Sequence, residues 1–133
     1  MKVSLSFEFA LRIIEHLTKH SIAVKSQHVA KELNIPYNHL IKIIHTLSKQ
    51  NIIHTKKGKN GGISLPKTSH SKTLYTLYEL FEPQQEIAPC LNNQEGCAYF
   101  KSCNILPIYA ELQIAIQSTL EKNQIKDLIK KEQ

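Results

Sequence analysis

Apolar side chains in the first 50 residues recur with a helical rhythm. From Ser4 to Lys19, Phe7, Ala10, Leu11, Ile14 and Leu17 fall on one face, which predicts an amphipathic helix. Ser26 can cap a second helix, SQHVAKEL, with Val29, Ala30 and Leu33 turned inward. Asn34-Ile35-Pro36 breaks the pattern, because the residue before a proline is biased away from helix. Pro36 suits the first turn of a third helix, PYNHLIKIIHTLSKQ, with Leu40, Ile43, Ile44 and Leu47 as its buried stripe. Two short helices joined by a tight turn, the second polar on its outer side, form the helix-turn-helix pattern.

The rhythm then changes from helix to hairpin. Ile52-Ile53-His54-Thr55 and Ile63-Ser64-Leu65 read as two strands around the basic, glycine-rich turn Lys56 to Gly62, and Pro66 stops the second strand. Three helices followed by a basic hairpin predict a winged helix. The turn could instead cradle a nucleotide phosphate, but it lacks the P-loop spacing and a following Ser or Thr. Ser71 is placed to cap a fourth helix carrying Leu74, Leu77, Tyr78 and Phe81. Residues 83 to 100 read as loop, with Pro83, Pro89 and Gly96. From about Asn104 the pattern is helical again. Ile105, Tyr109, Leu112, Ile116 and Leu120 form a narrow seam on a polar helix, which suggests packing against a symmetry mate. Residues 123 to 129 read as a short terminal helix. The expected architecture is therefore mainly α with a small β-hairpin. It comprises a winged helix-turn-helix domain (1–82), a cysteine loop (83–103), and a long C-terminal dimerisation helix with its tail (104–133).

Charge divides the chain more sharply than its net of +6 suggests. Residues 1–70 hold 11 Lys and Arg against 3 Asp and Glu, whereas residues 71–133 hold 6 against 8. All seven His lie in the first half and all three Cys in the second. A basic half points to a polyanion partner. No apolar run reaches the roughly 18 residues of a membrane span, so no membrane association is expected. The opening segment carries Glu8, Arg12 and Glu15 within its apolar pattern and no small-residue cleavage site, so a secretory leader is not expected. A cytoplasmic location is.

Cys90, Cys97 and Cys103 follow the spacing C-x6-C-x5-C. Three cysteines cannot all pair within one chain, and a cytoplasmic protein does not keep structural disulfides. A Pro- and Gly-bearing polar loop is a poor place for core thiols, although buried free cysteines occur. Zinc sites favour closer pairs and a fourth Cys or His. Longer gaps between soft thiolates favour an iron–sulfur cluster, with zinc or no metal as the alternatives. A cluster held by three thiolates needs a fourth ligand from elsewhere, such as a carboxylate or a residue of a second subunit. An iron bound that weakly suits a sensor.

With these segments in place, the whole chain resembles the iron–sulfur winged-helix regulators of the IscR and NsrR type. MKVSLSFEFALR is similar to that family's first helix, YNHLIKIIHTLSKQNII to its recognition helix and KGKNGGISL to its wing. The three-cysteine loop resembles its cluster site. Within the family the NsrR branch is the better match, through Asn38-His39-Leu40, Lys42 and His45, Cys103-Asn104-Ile105-Leu106 and Ile125-Lys126-Asp127-Leu128. IscR-type members carry a histidine ligand where this chain has Leu106. NsrR-type members use an acidic residue of the first helix, donated by the other subunit, and Glu8 occupies that position here. The resemblance implies a dimeric repressor with a 4Fe–4S or 2Fe–2S cluster on Cys90, Cys97, Cys103 and the partner's Glu8. It further implies that nitric oxide is the signal that releases the operator. Two departures stand out. The first cysteine gap is one residue longer than usual, and Lys57 replaces the usual arginine of the wing, which is not a geometric equivalent.

For DNA, the third helix is expected in the major groove of a pseudo-palindromic duplex. Tyr37, Asn38, His39, Lys42 and His45 are its candidate contacts. Lys56, Lys57, Lys59 and Asn60 of the wing would approach backbone or minor groove, and Ser26 and Gln27 a phosphate. Two other functions fit the same residues: a metal-free thiol redox regulator, and an IscR-like regulator of cluster biogenesis. No nucleophile–base arrangement suggests an enzyme.

Overall fold

The computed structural model describes residues 3–83, 86–92 and 95–129. Residues 84, 85, 93 and 94 of the expected cysteine loop, and the tail from residue 130, lie outside the described residues. Five helices and one two-stranded antiparallel sheet follow in the order α1 (Leu5–Thr18), α2 (Ser26–Leu33), α3 (Tyr37–Lys49), β1 (His54–Lys56), β2 (Gly62–Ser64), α4 (Leu74–Phe81) and α5 (Leu106–Lys122). None of the described helices is long and apolar enough to cross a membrane.

The three helices of the N-terminal half form where the periodicity places them, and their ends explain the small shifts. Ser4 caps α1, its hydroxyl accepting from the Phe7 N–H. Ser26 does not cap α2. Lys25 stands at the cap with no side-chain bond, and Ser26 is already helical. Asn34 ends α2 in the left-handed conformation (φ 53°), which an Asn tolerates well. Pro36 sits one residue before α3, as its N-cap. Thr73, not Ser71, caps α4 by accepting from the Thr76 N–H.

The wing is shorter than its apolar run suggests. Ile52 and Ile53 are both fully buried instead of alternating, so they serve as core residues and pairing starts only at His54. His54 pairs with Ser64, Thr55 with Ile63 and Lys56 with Gly62. Val24 adds a single bridge on the other side of Ile63, donating and accepting at 2.9 and 2.8 Å. Gly62 has a positive φ of 143°, and a Cβ there would overlap the Val24 carbonyl, so this position needs glycine.

One core holds these elements together. Phe7, Ala10, Ile13, Ile14 and Leu17 of α1 meet Val29 and Ala30 of α2, the four-residue stripe of α3, Ile52, Ile53, Ile63 and Leu77. Burying each large aliphatic side chain contributes about 1.5–3 kcal/mol, which makes this cluster the main source of stability. The C-terminal tail joins it. Residues Ile125–Leu128 form a short 3-10 helix, and Ile125 is fully buried. Leu74 N–H donates to the Asn123 carbonyl and Ile125 N–H to that of Lys72, so the tail is stitched to the start of α4.

Candidate nucleic-acid interface and thiol loop

The outward face of α3 follows from its stripe. With Leu40, Ile43, Ile44 and Leu47 buried, Asn38, Lys42 and His45 fall together on the exposed side, and Tyr37 is 43% exposed at the helix start. His39 sits differently. It is half-buried, its ring lies edge-on to Phe9 with centroids 5.0 Å apart, and Nε2 is 3.1 Å from the Ser6 hydroxyl. Ser6, Asn38, His39, Lys42, Thr46 and Phe81 line a cleft of about 510 Å³ between α1 and α3.

At the wing, Lys56, Lys57, Lys59 and Asn60 are all exposed. Gln27 is exposed at the start of α2, and Ser26 is half-buried beside it. Lys25 joins the two. Its ammonium donates to the Gly58 carbonyl at 2.6 Å and ties the turn of the wing to the entry of α2. Periodicity could not reveal this contact, because it spans 33 residues and Lys25 lies in a connector. The contact holds the basic turn of the wing beside the start of α2.

The thiol loop starts from a buried anchor. Glu82, 9% exposed, accepts the Ser4 N–H at 2.8 Å. Further along, the Ile87 N–H donates to Gln113 Oε1 of α5 at 2.8 Å. Cys90 lies in a 3-10 turn, Pro89–Leu91, and Cys103 follows another, Phe100–Ser102. All three cysteines are free and half-buried. Cys90 and Cys97 line a cavity of about 770 Å³ with Ile87, Ala88, Pro89, Gly96, Tyr109 and Leu112. Among the described residues no three His, Cys, Asp or Glu side chains are grouped to hold a metal. Three unpaired thiols in one short loop are the donors an iron–sulfur cluster takes, so the chemistry fits.

Glu8 lies in the first turn of α1, half-exposed, with its carboxylate 2.9 Å from Arg12 Nε. That hydrogen bond and charge raise the Arg12 pKa above its ordinary value. The pair is one helical turn apart on an exposed face, so it constrains Glu8 only weakly.

Comparison with known proteins agrees with this architecture. Residues 3–131 match the family model Rrf2, described as an iron-dependent transcriptional regulator. The HTH-type transcriptional regulator NsrR of Shouchella clausii is 31% identical over 133 residues, covering 97% of this chain and 89% of that protein. Two solved structures share the fold at lower identity. CymR, the global cysteine regulator of B. subtilis, aligns with a TM-score of 0.77 at 18% identity, covering 96% of this chain and 95% of that one. IscR of T. potens aligns with a TM-score of 0.75 at 15% identity, covering 96% and 85%. These relatives are transcriptional regulators, not enzymes.

Proposed function

The chain belongs to the Rrf2 family of transcriptional regulators, and we propose that within it this protein is a cytoplasmic, homodimeric repressor governed by an iron–sulfur cluster that responds to nitric oxide. One observation carries the sensor part of this reading. The cavity lined by Cys90 and Cys97 is also lined by Tyr109 and Leu112, two residues of the seam on α5. A group held by those two thiols would lie beside the helix through which two copies would pair.

Cys90, Cys97 and Cys103 are the residues that would hold the cluster, with Glu8 of a second copy as the fourth ligand. When bound, such a group supplies an iron that is open to a small reactive molecule, because a carboxylate holds it less firmly than thiolate. For Glu8 to serve, its carboxylate must leave Arg12, an exposed pairing that costs little to break. The loop itself is fastened to α1 through Glu82 and to α5 through Gln113. A change in the loop thus bears on the dimer helix and on the winged domain together, and a ligand that favours one dimer geometry shifts the population toward it.

For DNA, α3 enters the major groove with Tyr37, Asn38, Lys42 and His45 outward. The wing lysines and Asn60 approach the backbone or minor groove, and Ser26 and Gln27 approach a phosphate. Two copies related by a twofold axis would read half-sites about one helical turn apart.

The test is the iron and sulfide content and visible spectrum of protein purified without oxygen, before and after nitric oxide. Expected are cluster-level iron and sulfide, a spectrum changed by nitric oxide, and loss of both metal and colour in Cys103→Ala. Colourless, iron-free protein even after reconstitution overturns the reading. It would favour the second one, a thiol redox regulator. That alternative draws on the three free thiols and on the lack of a ready metal group among the described residues. An IscR-like role is less well supported, since Leu106 stands where that branch has its histidine ligand.

A further inference from the structure

We propose that His39 is a positioning residue: it holds the recognition helix against the first turns of α1, which are themselves fixed to the root of the thiol loop. This rests on the reading of α3 as the DNA-binding helix and says which of its residues faces inward.

The imidazole is engaged on two sides. Its Nε2, the nitrogen farther from the backbone and the one a base would meet first, hydrogen-bonds the Ser6 hydroxyl at 3.1 Å. Its face or edge is covered by Phe9, with centroids 5.0 Å apart and planes at 66°. Asn38 and Lys42, its neighbours on the helix, are exposed, whereas His39 is half-buried. Both partners of the ring come from α1, 33 residues away for Ser6. A half-buried imidazole satisfied in this way loses a hydrogen bond and desolvated packing if it swings out to DNA.

The same turn of α1 is held from the other side. The Ser4 N–H donates to Glu82 Oε1 at 2.8 Å, and the Ser4 hydroxyl approaches the Phe81 carbonyl at 3.4 Å. Phe81 also lines the cleft beside Ser6 and His39. Three hydrogen bonds, each between segments far apart in sequence, therefore run from the start of the loop through Ser4 and Ser6 to α3. The height and roll of α3 on α1 are set at its N-terminal end, where Tyr37, Asn38 and Lys42 would meet bases.

The test is a double-mutant cycle on DNA affinity with the full-length dimeric protein. The probe is a duplex selected by the wild type from a random-sequence pool, with an unselected duplex as control. Ser6→Ala removes the hydrogen bond without altering any residue of α3. His39→Ala and the milder His39→Asn remove it from the other side. Loss of one hydrogen bond predicts about three- to tenfold weaker binding to the selected duplex in each single variant. The double variant should be no weaker than either, and binding to the unselected duplex and the salt slope should stay unchanged, while the melting temperature falls by a few degrees at most for the one hydrogen bond lost. A merely structural role would weaken both duplexes alike or leave the affinity of the folded protein for both unchanged, and either result overturns the proposal. So does normal affinity in Ser6→Ala with weakened binding in the His39 variants, since that marks a base-reading histidine and leaves the regulator reading intact. If no duplex is selected at all, the regulator reading fails and takes this proposal with it.

Discussion

Helix α3 has 13 residues and buries four of them, whereas α5 has 17 and buries none. Both carry apolar side chains at helical spacing. On α3 they pack against α1 and α2. On α5, which packs against α4, Ile108, Tyr109, Leu112 and Ile114 remain exposed. A helix of that length is marginal alone in water, so its stability has to come from packing. The winged domain supplies its own core. On the function proposed above, the thiol region would be completed from outside, by a second copy and by what the cysteines hold.

Truncation should separate the two regions most clearly. Leu40→Ala, in the fully buried stripe, is expected to cost about 2–5 kcal/mol in urea unfolding. Leu112→Ala, at a residue 45% exposed, should instead remove the concentration dependence of the unfolding midpoint and shift sedimentation toward monomer. Equal losses with no change in association would contradict the division.

Glu82 tests the joint between the regions. Glu82→Ala leaves the Ser4 N–H without its charged acceptor and should cost about 1–3 kcal/mol, while Glu82→Gln, which keeps an oxygen there, should cost less. Identical losses would mean that packing, not the hydrogen bond, fixes the loop root.

On the winged side, Lys57→Ala and Lys59→Ala should each weaken binding to all duplexes alike and reduce the salt slope by about 1. An unchanged slope would remove the wing from the interface.

The smallest effect is one of pH. Burial, then the neighbouring His20 whose ring centroid lies 4.8 Å away, lowers the His16 pKa below its ordinary value. The unfolded chain therefore takes up this proton first as pH falls. Stability should decline below about pH 6.5, the unfolded value, and level off below the folded one. His16→Gln should flatten that part of the melting curve. If the variant and wild type lose stability in parallel, His16 contributes nothing there.

The parts legible in the sequence were those governed by short-range pattern. The stripes of α1 and α3, the break at Pro36 and the glycine-rich wing all depend on neighbours within a few residues. Boundaries were less legible where tertiary burial overrode local signals. Ile52 and Ile53 look like strand but fill the core, and Ser26 and Ser71 are good caps that Lys25 and Thr73 displace. The contacts that assemble the site were not legible at all. Lys25 to Gly58, Ser6 to His39 and Ser4 to Glu82 join segments 33, 33 and 78 residues apart, and no periodicity encodes such pairs. Of the thiols, spacing suggested one shared function, and in the fold Cys90 and Cys97 line one cavity.

The central claim is that what the thiol loop holds decides how the winged domain binds DNA. The most direct measurement is the affinity of one protein preparation for its selected duplex, with the cluster loaded, after exposure to nitric oxide, and after removal of the iron. The account predicts tight binding only in the first state, and equally weak binding in the other two. Equal affinity in all three would contradict it and leave a winged-helix regulator whose cysteines do not control DNA.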